Sequence, residues 1–343
     1  MRVASPPTSV GSAVCPRVEL LSYSMRATVL GASGFFGGHV AEQLAHAGYS
    51  VVAVVRPMSD RTFVDSLGVA VEPIDYTDAS LLDAVRDADV VYNCTADTRM
   101  HLDEATRLAV EVDLTRRIVQ AAGRPNVGRL VQLSTIQVYG RLPDTAVDEG
   151  FPCNPVHDFQ RAAVVREQLV QHEADEAGLE WVLVRPVTTT GARDTSLMEN
   201  LYPAHRSGAF PIIGKGTQTL SMVDARDVAR AMVLLGEAPE AAGRVFLVGG
   251  FHTTWHGFKE ALDRATGRHT RAVHLPASIM KLAAQAITAL TPRGTEPKLH
   301  PLAVDTTSRA SHLDDGRIRA LGYAPQFTLD DAVAAGVAWM RDR

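Results

Sequence analysis

Gly31, Gly34 and Gly37 stand in Gly-x-x-Gly-x-x-Gly spacing, just after the short apolar run Ala27 to Leu30 and just before a helical pattern. Such a turn suits the pyrophosphate of a dinucleotide. The first glycine permits the tight turn, the second lets the backbone approach the phosphates, and the third lets helix and strand pack closely. The helix start then points free N–H groups at the anion. A glycine triplet alone is a weak signal, but here strand, turn, helix and second strand surround it. Nineteen residues after Gly37, an NAD-binding chain would carry an acid for the ribose 2′-hydroxyl. This chain has Arg56, followed by Ser59 and Arg61, and no acid from Val51 to Ser59. A guanidinium clamps a 2′-phosphate that an acid would repel, so the expected cofactor is NADP(H).

The elements that must position these groups alternate along the chain. Ala27 to Leu30 is followed by a helix from His39 to Ala47, ended by Gly48, and by the β-branched run Ser50 to Val55. Leu67 to Ile74, Val90 to Cys94, Leu130 to Leu133 and Trp181 to Val184 continue the series with helical segments between them. Short apolar strands alternating with helices imply an α/β fold around a parallel sheet buried on both faces. After Arg185-Pro186 the rhythm loosens. The expected organisation is an extension over residues 1–24 and a dinucleotide domain over 25–190, with 219–248 on the sheet side. A substrate lobe over 187–218 and 249–312 and a C-terminal helix within 313–343 complete it.

Composition narrows the class. The chain has 343 residues, 46% hydrophobic and 21% charged, with a formal net charge of −5. Nothing draws such a surface to nucleic acid. Ile279 to Leu290 is interrupted by Lys281 and Gln285 and reads as an amphipathic helix rather than a membrane span. Cys15, Cys94 and Cys153 lack paired spacing, which suggests a reducing cytoplasm rather than a disulfide framework. The first 24 residues, rich in Ser, Pro and Gly, lack a signal-peptide core. Met25 directly before the first strand leaves a misplaced start codon and a loose arm both open.

Several further segments, in order, resemble the extended short-chain dehydrogenase/reductases. That family includes sugar-nucleotide epimerases, dihydroflavonol reductases and 3β-hydroxysteroid dehydrogenases. Asp75-Tyr76 falls where the family's Asp-Leu pair meets adenine. Asn93-Cys94-Thr95-Ala96 falls where its strand end borders the inner ribose, and Leu133-Ser134-Thr135-Ile-Gln-Val-Tyr139-Gly140 resembles its Ser-Ser/Thr-x-x-Val-Tyr-Gly motif. Arg185-Pro186-Val187 resembles the turn that holds the nicotinamide carboxamide. Ala320 to Pro325, with the helix of Asp330 to Met340, resembles the family's end. The resemblance implies a Rossmann-type doubly wound parallel sheet with a smaller C-terminal substrate lobe. Within the turn, Gly31, Ser33, Gly34, Phe35, Phe36 and Gly37 would hold the pyrophosphate.

The catalytic positions depart from the family. Its members carry Tyr-x-x-x-Lys with a glutamate four residues beyond the lysine. Aligned on Glu167, the tyrosine position holds Phe159 and the lysine position Ala163, and the family's asparagine falls on Glu111, ahead of Thr115. Hydride reaching a ketone carbon generates an alkoxide that needs a proton, which the tyrosine supplies with its pKa lowered from about 10. Phe159 has no proton and Ala163 no charge. Thr135 remains, and its hydroxyl can polarise a carbonyl without serving as the acid.

Other groups carry weaker expectations. His157, Tyr202 and His205 could each reach the cleft as an acid, though each is more often a packing residue. Tyr139 reads as packing, and Asp97 and Glu111 as supporting polar groups. His252 and His256 have the spacing of a helical metal pair but lack a third ligand, so no metal site is expected. Met198, Leu201, Tyr202, Phe210, Met222, Phe251 and Trp255 would suit a flat, lipophilic ligand or simply form core. Two functions follow. One is an NADPH-dependent ketoreductase of an aromatic, angucyclinone-like polyketide ketone in antibiotic biosynthesis. In it the substrate's own phenol donates the proton, as the resemblance to atypical family members without the tyrosine–lysine pair implies. The other is a dinucleotide-sensing regulator or scaffold that kept the fold and lost the chemistry.

Overall fold

The computed structural model describes residues 24–97, 99, 102–124, 127–292 and 294–343. Residues 1–23 of the expected extension, with Cys15, lie outside the described residues. The first half alternates β1 (Arg26–Leu30), α1 (Phe35–His46), β2 (Ser50–Val55), α2 (Thr62–Asp65), β3 (Ala70–Pro73), α3 (Asp78–Val85) and β4 (Val90–Asn93). It continues with α4 (Glu104–Arg107), α5 (Asp113–Ala122), β5 (Arg129–Leu133), α6 (Asp158–Ala177) and β6 (Glu180–Pro186). The second half runs β7 (Thr188–Thr190), α7 (Leu197–Arg206), β8 (Ala209–Ile213), β9 (Leu220–Asp224), α8 (Ala225–Glu237) and β10 (Arg244–Val248). Then come β11 (Phe251–Thr253), α9 (Trp255–Thr266), β12 (Arg271–Leu275), α10 (Ala277–Leu290), α11 (Pro301–Thr307), α12 (Gly316–Arg319) and α13 (Leu329–Arg341).

Seven parallel strands form one sheet in the order β10-β6-β5-β4-β1-β2-β3. Every residue of β4 and β5 is buried, as expected of strands covered by helices on both faces. The strand order reverses between β1 and β4, which opens the crevice where doubly wound sheets bind ligands. Strands β7, β8, β9, β11 and β12 belong to a smaller lobe, whereas α8 packs against α1 on the main sheet. β7, β9 and β11 form a three-stranded sheet, and β8 pairs with β12. Phe210, Phe258, Trp255, Met198 and Tyr202 form the lobe's core with Val333 and Val337 of α13.

Four boundaries differ from the sequence expectation. α1 begins at Phe35 rather than His39, because Gly34 is its N-cap and Gly37 and Gly38 lie inside it. Gly37 is required there, since a Cβ would come within 2.2 Å of the Gly31 carbonyl oxygen. The strand expected over Leu67 to Ile74 shortens to Ala70–Pro73, because Leu67 and Gly68 finish the turn after α2. Arg185 and Pro186 end β6 instead of forming the turn. The run from Thr219 joins the three-stranded sheet as β9. Among the described residues, no helix is long and apolar enough to cross a membrane.

Candidate cofactor and substrate site

The turn after β1 carries the features of an anion site. Gly31 adopts a φ of +78°, and its carbonyl accepts from the Gly34 amide at 3.0 Å. A Cβ on Gly31 would press on the Cys94 backbone at 3.2 Å, so this glycine lets β1 and β4 converge at the crevice. Ser33 and Gly34 are exposed, and Phe35 and Phe36 form the first turn of α1 with ring centroids 4.8 Å apart. α1 has no side-chain cap and no acid in its first turn. Its leading amides therefore point into a bare, uncapped cradle, and the residues present fit a dinucleotide pyrophosphate.

Arg56 is exposed at the end of β2, and the Ser59 amide turns back to its carbonyl at 3.0 Å. Asp75 is exposed and braces Thr77, the N-cap of α3, accepting from the Thr77 amide and hydroxyl and from the Ser80 hydroxyl. These bonds hold its carboxyl below the usual range. Tyr76 departs from the picture of a side chain lying on an adenine. Its backbone is left-handed at φ +58°, its ring is buried, and its hydroxyl accepts from the Gly31 amide at 3.1 Å. Burial pushes that phenol up to about 12. At the end of β4, Cys94 is half-buried, with its thiol pushed up to about 12 by burial. Thr95 bonds to the Asn93 side chain through its amide and hydroxyl, and Ala96 is exposed. Pro186 and Val187 are both buried, and Thr188 is the first side chain of that segment to line the cleft.

Thr135 opens a 3-10 turn (Ile136–Tyr139), and its hydroxyl accepts from the Gln137 amide at 3.2 Å, leaving its proton free to donate. Phe159 is the second residue of α6, half-buried, with the Arg107 guanidinium 5.2 Å from its ring centroid. Ala163 is buried one turn on. Behind them Glu111, expected as a supporting polar group, anchors a network through two arginines that carry no sequence signal. Arg107 donates to Glu111 at 2.6 Å and to the Asp97 carbonyl at 2.7 Å. Arg166 donates to the other Glu111 oxygen at 3.1 Å, to Thr115 at 3.1 Å and to the Thr95 carbonyl at 2.9 Å. Glu111 thus binds two buried arginines. The neighbouring Glu167 is also structural: Arg185 donates to it at 2.9 and 2.5 Å, Ser134 also donates to it, and Arg185 reaches the Tyr139 hydroxyl at 2.8 Å.

The cleft beside this site is lined by Ile136, Leu142 and Val156 and by a polar set of Gln137, Gln160, Thr188, Asp305 and Thr306. His157 lines it too, with its Nε2 3.0 Å from Asp305 Oδ2, and Lys281 donates to Asp305 Oδ1 at 3.2 Å. His205 and Tyr202 are not cleft residues. His205 is fully buried in the lobe, 2.8 Å from Asp263, and Tyr202 packs in the lobe core. Met198, Phe210, Met222 and Trp255 are buried in that core, with Leu201 and Phe251 packed against it, so they serve the lobe instead of a ligand. His252 lies on β11 and His256 on α9, so their spacing does not place them on one helical face.

Residues 27–249 match the family model described as the NAD dependent epimerase/dehydratase family. The chain is 29% identical over 316 residues to a 4-hydroxy-2-methyl-3-oxo-4-farnesyl-3,4-dihydroquinoline-1-oxide ketoreductase of Stigmatella aurantiaca, covering 89% of this chain and 93% of that one. It is 29% identical over 331 residues to sterol demethylase protein B of Methylococcus capsulatus, covering 93% and 99%. The fold matches that of a UDP-glucuronic acid 4-epimerase from Bacillus cereus solved with NAD, at a TM-score of 0.76 and 20% identity over 93% of this chain and 99% of that one.

Proposed function

The chain belongs to the NAD dependent epimerase/dehydratase family, and within it we propose an NADPH-dependent ketoreductase of an aromatic, angucyclinone-like polyketide ketone in antibiotic biosynthesis. The coarser part is an oxidoreductase with a nicotinamide dinucleotide cofactor. The observation that carries the finer reading is the pair Phe159 and Ala163, which leaves no proton donor where the family keeps its tyrosine and lysine. A relative whose name is that of a ketoreductase acting on an oxo-dihydroquinoline supports a cyclic ketone as substrate.

The turn at Gly31, Ser33, Gly34, Phe35, Phe36 and Gly37 would hold the pyrophosphate. Arg56 would hold the 2′-phosphate, and the ends of β4 and β6 would border the nicotinamide riboside. A dinucleotide bound there would supply the hydride. Thr135 donates a hydrogen bond to the ketone oxygen as negative charge grows there. Phe159 and the apolar walls at Ile136, Leu142 and Val156 exclude water and orient the ring. The proton passes from a phenol neighbouring the ketone to the new alkoxide oxygen, and water reprotonates the phenolate.

Two results test this reading. Arg56→Asp should weaken NADPH binding by about 2 kcal/mol or more, roughly thirtyfold, because it deletes a charge-assisted clamp and adds repulsion. Equal affinity of the unaltered protein for NADH and NADPH, measured by titration, would sink the NADP assignment. Thr135→Ala should lower kcat/KM by about 1.5–3 kcal/mol, the scale of one donor lost from a charged acceptor. An unaffected rate would show that Thr135 does not face the ketone.

The alternative is an NADP-sensing regulator, favoured by the same combination of an intact phosphate turn and an absent acid. NADPH consumption across a panel of quinones and hydroxy-ketones separates the two. Binding without turnover of any of them supports the sensor.

A further inference from the structure

Between β7 and α7 the chain passes through Gly191-Ala-Arg193-Asp194. Arg193 has a φ of +64°, a left-handed backbone that side chains bearing a Cβ adopt only when their surroundings hold them there. Both neighbours are held. The Ala192 carbonyl lies 3.0 Å from His39 Nε2 on α1, and the buried Asp194 accepts from the amides of Ser196 and Leu197 at the start of α7. The guanidinium occupies a slot. On one side it lies 3.3 Å from the centroid of the Phe63 ring. On the other is the bare Gly38, where a Cβ would meet the Arg193 Cζ and Nη2 at 3.2 Å.

In this slot the Arg193 Nε and Nη2 are buried without a hydrogen-bond partner. Burial pulls the guanidinium down to about 10, against a partial pull upward from Glu42. Strained backbone and unfilled charged donors are both costly, and together they mark a group waiting for an anion. The place of the slot identifies the anion. Gly38 is the fourth residue of α1, whose leading amides have no side-chain cap. Phe63 is the second residue of α2, two residues past Arg61 and seven past Arg56. Arg193 therefore stands between the two segments expected to carry the cofactor's phosphates.

We propose that Arg193 completes the phosphate site of the bound dinucleotide, its guanidinium turning out of the slot so that its unfilled N–H groups donate to a phosphate oxygen. This rests on the reading of the protein as an NADP(H)-binding enzyme. It gives the segment entering the lobe a direct hold on the cofactor, so that dinucleotide binding and lobe placement are coupled.

The test titrates NADPH and NADH into the full-length protein and into Arg193→Gly, and records each unfolding midpoint without ligand. Arg193→Gly removes both the guanidinium and the strained Cβ. We expect NADPH affinity to fall at least tenfold while the ligand-free midpoint holds or rises. A loss shared by NADPH and NADH assigns the pyrophosphate, and a loss confined to NADPH assigns the 2′-phosphate. Unchanged NADPH affinity overturns the proposal and leaves Arg193 a packing cation. If the midpoint falls as well, Arg193→Met, which keeps an apolar stem over Phe63, decides: a tenfold loss sustains the proposal and unchanged affinity ends it. Equal affinities of the unaltered protein for both dinucleotides would instead overturn the NADP assignment, and the NADH titration would still test Arg193.

Discussion

A ketone with a free hydroxyl on the adjacent ring position should be reduced by this protein, whereas its O-methyl ether should bind and turn over far more slowly. Methylation removes the only acid this reading assigns to the reaction, while ring shape and most apolar contact persist. General acid catalysis is worth about 10²–10⁴-fold, so the ether should fall by that factor in single-turnover NADPH oxidation at similar affinity. Phe159→Tyr should bring no compensating gain. With Ala163 beside it instead of a lysine, the new hydroxyl keeps a pKa near 10 and meets an apolar substrate face without a partner. His157→Ala, although its ring lines the cleft, should cost no more than about tenfold, or ~1.4 kcal/mol. Equal rates for phenol and ether would place the acid in the protein, and His157 with Asp305 would be the next pair to alter.

Glu167→Ala should lower the unfolding free energy by about 3–5 kcal/mol, because it leaves the buried Arg185 with no counter-charge. The same carboxylate receives the Ser134 hydroxyl, so β5, β6 and α6 lose a common anchor. Urea unfolding of the variant beside Val165→Ala, an exposed position on the same helix, provides the comparison. A loss below 1 kcal/mol would mean that water enters and solvates Arg185 on loss of the carboxylate.

The strand–turn–helix alternation of the first half was largely legible because its signals are local. Gly31, Gly34 and Gly37 act within seven residues, and apolar strands such as Val90 to Asn93 announce their burial by composition. The proposed departures at Phe159 and Ala163 rest on their fixed spacing from Glu167 in the sequence. The cleft was not legible. Asp305 meets His157 across 148 positions, and no local pattern reports such a pairing. Arg107 and Arg166, the partners of Glu111, hid for a related reason, since charged residues on helices usually face water. Apolar residues after β6 carried the opposite ambiguity. Met198, Phe210 and Trp255 could have lined a ligand, and only the packing shows that the lobe consumes them for its own core.

That core has a consequence for how the protein is made. Val333 and Val337 of α13 fill it alongside Met198, Tyr202 and Phe258, residues that leave the ribosome long before them. Strands β1 to β6 and the glycine turn lie well before α13 in the chain. The nascent chain therefore exposes the lobe's apolar residues until α13 has emerged. A dinucleotide held at the glycine turn would stabilise the emerging domain by binding its folded form. A truncation that removes α13 should accordingly yield a chain with an unfinished, aggregation-prone lobe, rescued in yield by abundant cofactor but not by substrate.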